Sequence, residues 1–333
     1  MIRKGAEGST VVLGRHAMLG IDVSKDTLVA TLVDPITRKP RWTKSFPNTE
    51  AGIRKLLARV PAAVSLVLEP TGRYGLLVVQ LAQAAGRTVL MADPKAAAHY
   101  LKSLSPRAKT DRIDSVGLAL FAIGRALRPY PVKSAPLEEV DQLLSARKGI
   151  ADAISRLKQQ WRELPHAAGP LQQALEALAQ QQAELERQIA KRTKSEPALA
   201  RVAELDRVHG IGLITATTAA SRLSARGFAR VEQWVAYIGL DVGIRESGKR
   251  KGERGLTKQG DAELRRLFYL CAKSTVTRPT SPFAAQYQRE LKKGMKKTAA
   301  LCAVARKLAK VVWSLFEHGG RYEPSRVYAA PPA

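Results

Sequence analysis

The sequence predicts an α/β plus α chain: a mixed α/β unit at the N-terminus and helix almost throughout the remainder. Two observations predict it. Short β-branched or apolar runs alternate with amphipathic stretches over residues 17–104, whereas from residue 135 apolar residues recur in helical steps of three and four. A third observation concerns the partner. The 333 residues carry 55 Lys and Arg against 29 Asp and Glu, a formal net charge of +26, and such an excess fits nucleic acid, whose condensed counterions are released when basic side chains replace them. An anionic membrane surface is the competing partner.

Residues 17–23, 27–33 and 41–46 read as three successive strands, the first apolar except for Asp22 and the third following an Asp34-Pro35 turn. Asn48 or Thr49 caps a helix carrying Ile53, Leu56, Leu57 and Val60, and residues 64–68 form an apolar strand that stops at Glu69-Pro70. A helix over 74–85, a strand over 88–92 and a helix from Pro94 follow. A three-strand meander and then β-α-β units is the order of a ribonuclease H-like fold. In it the first and fourth strands are neighbours, so Asp22 and Glu69 are expected at one sheet edge.

The stretch Lys109-Thr110-Asp111-Arg112-Ile113-Asp114 opens the next apolar helix. Asp111 and Asp114, three residues apart, leave the same face. Paired carboxylates repel and raise each other's pKa unless a cation sits between them, which points to a hard divalent metal with oxygen ligands. An N-terminal turn that merely complements the helix dipole is the plainer alternative for this pair. For Asp22 and Glu69 it is a strand-end turn residue and a solvated charge. Four carboxylates, Asp22, Glu69, Asp111 and Asp114, are expected to meet.

Over 135–194 glycine becomes scarce, and Ile150, Ile154, Leu157, Trp161 and Leu164, then Leu171, Leu175, Leu178, Leu185 and Ile189, mark two helices separated by a break at 165–170. They read as a coiled coil, either a self-contained antiparallel hairpin or an oligomerisation arm. Val208-His209-Gly210-Ile211-Gly212 before a small-residue helix suits a helix-hairpin-helix, in which backbone N–H groups face a phosphate. His209 reads as a packing or capping residue. Arg245, Lys249, Arg250, Lys251, Arg254 and Lys258 outnumber Glu246 and Glu253 in a glycine-punctuated segment that reads as a mobile phosphate-seeking loop. Residues 286–310 read as one basic helix, with Lys292, Lys293, Lys296 and Lys297 on its solvent side and Leu301, Val304, Leu308 and Val311 docking it. The expected divisions are 1–134, 135–196 and 197–333.

No run is long and apolar enough to span a bilayer, and residues 1–16 hold only the short run Val11-Val12-Leu13, so no signal peptide and a cytoplasmic, nucleoid-associated protein are expected. Cys271 and Cys302, the only two cysteines, can build neither a zinc site nor a disulfide framework and read as buried small hydrophobes.

Gly20-Ile21-Asp22-Val23-Ser24-Lys25, Leu68-Glu69-Pro70-Thr71-Gly72, the Lys109 to Asp114 stretch, His209-Gly210-Ile211-Gly212, Ser247-Gly248 and Lys258-Gln259-Gly260-Asp261 occur in an order that resembles the DEDD transposases of the insertion sequence 110 family. The resemblance runs from about Leu19 to about Tyr322; where that family usually has proline after its Gly-Leu pair, this chain has Val242. It implies a RuvC-like domain of ribonuclease H fold, a coiled-coil connection and a mostly helical C-terminal transposase domain. It further implies Mg2+, with Mn2+ as a substitute, on Asp22, Glu69, Asp111 and Asp114, and Ser247 as nucleophile. Members of that family are similar to recombinases that pair donor and target DNA through a noncoding bridge RNA, so both DNAs, that RNA and a homo-oligomer, a dimer or tetramer, are the expected partners. Lys109, Arg112, Gly210, Gly212 and the basic residues above are the expected nucleic-acid contacts. A site-specific DNA invertase of the same type, a RuvC-like structure-selective nuclease and a non-catalytic nucleic-acid-binding protein are the alternatives.

Overall fold

The computed structural model describes residues 17–69, 74–104, 110–243, 246–247, 250–251 and 255–328, the two short pairs as backbone. The chain forms two compact units that divide between Val132 and Lys133. The first contains β1 (Met18–Val23), β2 (Thr27–Val33), β3 (Pro40–Pro47), α1 (Glu50–Ala58), β4 (Ser65–Leu68), α2 (Leu76–Ala84), β5 (Val89–Met91), α3 (Pro94–Leu104), α4 (Asp111–Ile123) and β6 (Arg128–Pro129).

Its sheet runs β3-β2-β1-β4-β5-β6. β1 pairs antiparallel with β2 and parallel with β4, and β4 is parallel to β5. This is the ribonuclease H-like order expected from the sequence, with the first and fourth strands side by side. Alternation of side chains fixes what each face packs against. Leu19, Ile21 and Val23 of β1 and Leu66 and Leu68 of β4 join Ile53, Leu56, Val78 and Val79 of α1 and α2. Met18 and Val67 point the other way, into a core with Ala97 of α3 and Leu118, Ala119 and Phe121 of α4. Thr49 caps α1, its hydroxyl accepting from Gly52 N–H.

The second unit begins with two long helices, α5 (Ala135–Glu163) and α6 (Ala168–Ser195), joined through a 3-10 turn at Pro165–Ala167. Arg147 pairs with Glu186 at 2.8 Å and Arg192 with Glu139 at 3.1 Å, which fixes the two helices antiparallel. Leu137, Val140, Leu144 and Ile189 at their base belong to the core of the C-terminal helices. Those are α7 (Val202–Leu205), α8 (Leu213–Arg226), α9 (Val231–Ile238), α10 (Ala262–Thr275), α11 (Pro282–Lys292) and α12 (Lys297–His318). α12 is central: Val304, Ala305, Leu308, Ala309 and Val312 are fully enclosed, and buried Trp234 donates its ring N–H to the Ala309 carbonyl at 3.0 Å.

The basic stretch expected as one helix is two. Gly294 takes a φ of +86° after α11, and α12 starts only at Lys297. The apolar period holds from Leu301 onward, where that helix is docked. Cys271 is buried and Cys302 half-buried, and both are free thiols. No helix among the described residues is long and apolar enough to cross a membrane.

Candidate active site

Asp22 and Glu69 share a face because of strand parity. Met18, Gly20 and Asp22 alternate with the inward residues of β1, and Val67 and Glu69 do the same on β4. Ile21 is level with Leu68, and continuing that register by one residue sets Asp22 beside Glu69. Both lie on the side of the sheet that α4 covers.

Gly20 brings α4 down onto that face. A Cβ at this position would fall 2.0 Å from the Ser115 carbonyl oxygen and 2.7 Å from the Ala119 nitrogen, so the helix backbone occupies the space a side chain would need. The neighbouring strand holds it there. Thr31, level with Gly20, bonds Ser115 Oγ at 2.7 Å and Thr43 at 2.9 Å, and Ser115 Oγ donates to the Arg112 carbonyl at 3.0 Å. Thr110 caps α4, accepting from Ile113 N–H at 3.2 Å. Asp111 and Asp114 occupy the turn before Ser115, on the stripe that Ser115 and Leu118 continue into the core.

The electrostatics record the convergence. The Asp22 carboxyl is raised to about 6 by burial first, then by the charges of Asp111 and Asp114, and further by Glu69, against a lowering hydrogen bond from the Val23 backbone. Asp22 thus has three acidic neighbours, and carboxylate oxygens are the donor type that a hard divalent cation takes. Among the described residues no three of these groups close into a formed metal cage. Lys109 lies outside the described residues, and Arg112 is exposed at the start of α4.

Asn48 ties the two carboxylate-bearing strands together beyond their ends. Its side-chain amide donates to the Ser24 carbonyl at 2.9 Å, two residues past Asp22, and to the Tyr74 carbonyl at 3.0 Å, five residues past Glu69. From the sequence Asn48 reads only as a capping residue, and neither Gly20 nor the Thr31–Ser115 pair is legible as positioning. Their signal was the small or hydroxyl residue interrupting an apolar strand face.

In the second unit Ser247 lies on the backbone of a two-stranded ribbon. β7 (Glu246–Ser247) pairs with β8 (Arg250–Lys251), Ser247 opposite Arg250, and the stem continues through Val242 with Leu256, Gly243 N–H to Gly255 O at 2.8 Å and Thr257 N–H to Asp241 O at 3.0 Å. The stretch expected as a loop therefore has laddered backbone; Arg245, Lys249 and Arg254 lie outside the described residues. Gly239 (φ +74°) and Gly260 (φ +136°) let the ribbon's feet close on α9: a Cβ at Gly260 would stand 2.0 Å from the Tyr237 carbonyl. Asp261 then caps α10 and accepts from Leu264 N–H at 3.0 Å.

An ion network joins α5, α8 and the start of α10. Arg222 meets Asp141 at 2.6 Å and Asp261 at 3.4 Å, Lys133 also pairs with Asp141, and Ser221 donates to Asp141 at 2.6 Å. Burial alone would raise the Asp141 carboxyl, but Arg222 and Lys133 hold it below its ordinary value. Asp141 and Arg222 went unnoticed in the sequence, each being a lone charge in a helical period.

The two turn glycines have different surroundings. Gly210 (φ +87°) packs on α10, where a Cβ would stand 2.7 Å from both the Cys271 carbonyl and Thr275 Cβ. Gly212 precedes α8 with nothing within 4 Å of its missing Cβ, while its N–H is directed at the Cys271 thiol. His209 Nδ1 bonds the Tyr322 hydroxyl at 3.0 Å, the packing role expected for it. Lys258, with a φ of +54°, is exposed, as are Lys292, Lys293, Lys296 and Lys297.

Comparison with known proteins finds two family models, the first of which runs past the boundary between the units. Residues 19–170 match a family model for DEDD transposases of the IS110 type, and residues 202–288 match one described as transposase, IS116/IS110/IS902 family. A protein of Sinorhizobium fredii named as transposase y4qE is 24% identical over 92% of this chain and 90% of its own length. One of Pseudomonas aeruginosa named as a family 20 transposase is 27% identical over 72% of this chain and 80% of its own. The structure of T. thermophilus RuvC in complex with Holliday junction substrate aligns with 34% of this chain and 99% of its own at 14% identity and a TM-score of 0.28. With a matched family model over the carboxylate-bearing region and a second over the C-terminal helices, the chain belongs to the IS110 family of transposases.

Proposed function

We propose that this transposase is a metal-dependent serine recombinase that cuts and exchanges DNA strands through a covalent phosphoserine intermediate. The observation that carries the reading is the convergence of Asp22, Glu69, Asp111 and Asp114 on one face of the sheet, expressed in the raised Asp22 carboxyl. Those four would hold Mg2+, or Mn2+ in its place. Such an ion, when bound, polarises a phosphoryl oxygen and favours the deprotonated form of an oxygen nucleophile.

Ser247 is the proposed nucleophile. Its hydroxyl oxygen forms a bond to the scissile phosphorus as the bond to the 3′ oxygen breaks, and the departing oxygen ends as a free 3′ hydroxyl with the proton the serine gave up. The phosphodiester energy is conserved in the serine ester, so the reverse step rejoins an exchanged strand. The carboxylates and Ser247 belong to different compact units, and we assign their meeting to docking of the units, preferentially across protomers of a dimer or tetramer, since recombination needs paired cleavages.

Lys109, Arg112, Arg245, Lys249, Arg250, Lys251, Arg254, Lys258, Lys292, Lys293, Lys296 and Lys297 would bind phosphates and confer affinity without sequence choice. Gly210 and Gly212 would shape the turn that presents the first free N–H groups of α8 to a phosphate. Sequence choice would come from a bridge RNA pairing with donor and target DNA.

Mixing two inactive variants tests the reading. Ser247→Ala and Asp111→Asn should each abolish the covalent protein–DNA adduct, and their mixture should restore it if the site is shared between protomers. Metal-dependent cutting that persists in Ser247→Ala would instead identify a water-using nuclease.

A further inference from the structure

The C-terminal unit holds a cleft that neither the carboxylates nor the serine ribbon uses. It lies between the last turns of α12 and residues 319–327 and encloses about 460 Å3. Val231, Val311, Trp313 and Leu315 wall it, and Lys307, Lys310, Arg321 and Arg326 stand round it. That is the size class of small-ligand sites, about 300–1,000 Å3. It has room for one nucleotide and none for a base pair with both its backbones.

Its charge is mostly positive, with Glu323 the one acid among its lining residues. Lys307 and Lys310, three residues apart, share a helix face. Lys310 reaches Glu232 only at 3.8 Å, and Arg326 is paired with Glu323 at 2.7 Å. Arg321 is exposed and makes no ion pair among the described residues. Lys307 lies over the Tyr328 ring, 5.0 Å from its centroid, and Arg289 approaches the same ring at 5.0 Å. Burial, and then the Lys310 charge, push the Lys307 ammonium below its ordinary value. Lys307, which makes no ion pair among the described residues, and the loosely paired Lys310 stand together beside an open cleft, an arrangement that suits an anion.

The aromatic of the apolar wall is anchored on both sides. Trp313 donates its ring N–H to the Phe228 carbonyl at 3.2 Å and meets His318 edge-on at 5.3 Å. An anchored aromatic next to clustered cations supplies the two contacts a nucleotide needs, one for the base and one for the phosphate.

We propose that this cleft binds a single unpaired nucleotide of a nucleic-acid strand, with its phosphate among Lys307, Lys310 and Arg321 and its base against Trp313. Unpaired nucleotides arise wherever a duplex is bulged, frayed or exchanged, so the cleft would favour such junctions over continuous duplex. A chain with few aromatic residues can hold one base in this way without stacking a strand. The proposal does not depend on the carboxylates or on Ser247.

The test is anisotropy titration of the full-length protein in EDTA with three DNA probes: a perfect duplex, the same duplex with one bulged nucleotide, and the same bulge made abasic. Wild type should bind the bulged duplex about tenfold more tightly than the perfect one, and the abasic bulge should lose most of that gain. Lys307→Gln with Lys310→Gln should lower the slope of log affinity against log salt by about 2 on the bulged probe. Trp313→Leu should equalise bulged and perfect probes with the salt slope kept, whereas Trp313→Phe should retain the preference, which separates loss of the ring from loss of the fold. A bulged RNA duplex run in parallel identifies which strand type supplies the nucleotide. Equal wild-type affinity for all probes of both kinds overturns the proposal. So does a preference that survives both the lysine and the tryptophan variants, or competition by inorganic phosphate with no preference among probes, which would reduce the cleft to a general anion site. Because binding is read without metal, these outcomes leave the cleavage reading to stand or fall on its own variants.

Discussion

Gly20→Ala is the sharpest perturbation of the carboxylate site that touches none of its acids. The added Cβ would sit 2.0 Å from the Ser115 carbonyl oxygen, about 1.4 Å inside ordinary contact distance, and 2.7 Å from the Ala119 nitrogen. Both are main-chain atoms of α4, so no side chain can rotate away and the helix itself must retreat. Overpacking of this kind costs about 1–3 kcal/mol. A retreat of about 1 Å also withdraws Asp111 and Asp114 from Asp22 and Glu69 and stretches the 2.7 Å Thr31–Ser115 bond, and misplacement on that scale costs about 10²-fold in rate. Strand cleavage measured well below the variant's melting temperature should therefore fall about a hundredfold while the circular dichroism spectrum stays folded. Gly149→Ala is the control: nothing lies within 4 Å of that missing Cβ in the middle of α5, so it should be neutral or stabilise by about 0.5–1 kcal/mol. Wild-type cleavage and melting by Gly20→Ala would refute the claim that α4 rests on this glycine.

Three further outcomes follow from the same structure. The Asp22 carboxyl is raised to about 6, so its favourable contribution to the metal-free fold is complete below the ordinary Asp value and is lost as pH climbs through about 6; Asp22→Asn should raise metal-free stability at pH 8 by about 1–3 kcal/mol and leave it unchanged near pH 3, read by denaturant melts. The same variant should remove the stabilisation that Mg2+ or Mn2+ gives the wild type at pH 8. Asp141 is held below its ordinary value by Arg222 and Lys133, so its contribution is present above about pH 4 and disappears as pH falls through the lowered value; Asp141→Asn should cost about 3–5 kcal/mol at pH 7 and flatten the acid limb of the stability curve, and an unchanged acid limb would dissociate the network from the fold. Asn48→Ala removes both donors that join the chain past Asp22 to the chain past Glu69, and should raise the Mg2+ concentration needed for half-maximal cleavage while circular dichroism is unaltered; an unshifted requirement would count against a positioning role.

What the sequence disclosed and what it withheld divide along the range of the interactions. Strand parity is local, so Asp22 after Ile21 and Glu69 after Leu68 read as charges on the opposite face from their apolar neighbours, and the meander followed by β-α-β units was enough to make the first and fourth strands adjacent. The i, i+3 spacing of Asp111 and Asp114 is local too. The boundary inside the basic stretch was hidden because lysines continue across Gly294 without a change in composition, and only a positive φ marks the stop. The serine ribbon was hidden because Arg and Lys on paired strands look like Arg and Lys in a loop. Asp141 with Arg222 spans 81 residues, and nothing in either helix announces the other.

The deepest of these omissions concerns Gly20, because its contribution is an absence. A strand of Met18, Leu19, Ile21 and Val23 would accept alanine or valine at its third position on propensity alone. Glycine there weakens the strand, and the cost is offset only if some other backbone needs the space. The other backbone is α4, whose first turn carries two of the four acids. The row Thr43, Thr31, Gly20 and Val67, level across four strands, therefore acts as the seat of the helix: hydroxyls at one end hold Ser115, the gap in the middle admits its carbonyl, and Val67 closes the core. The distance between the carboxylates of the sheet and those of the helix is then set by the height of that seat and not by the acids. Substitutions in the seat should move the metal requirement and the rate together, whereas substitutions of equal thermodynamic cost on the α1 and α2 face of the same strands, such as Ile21→Val, should lower stability and leave both untouched.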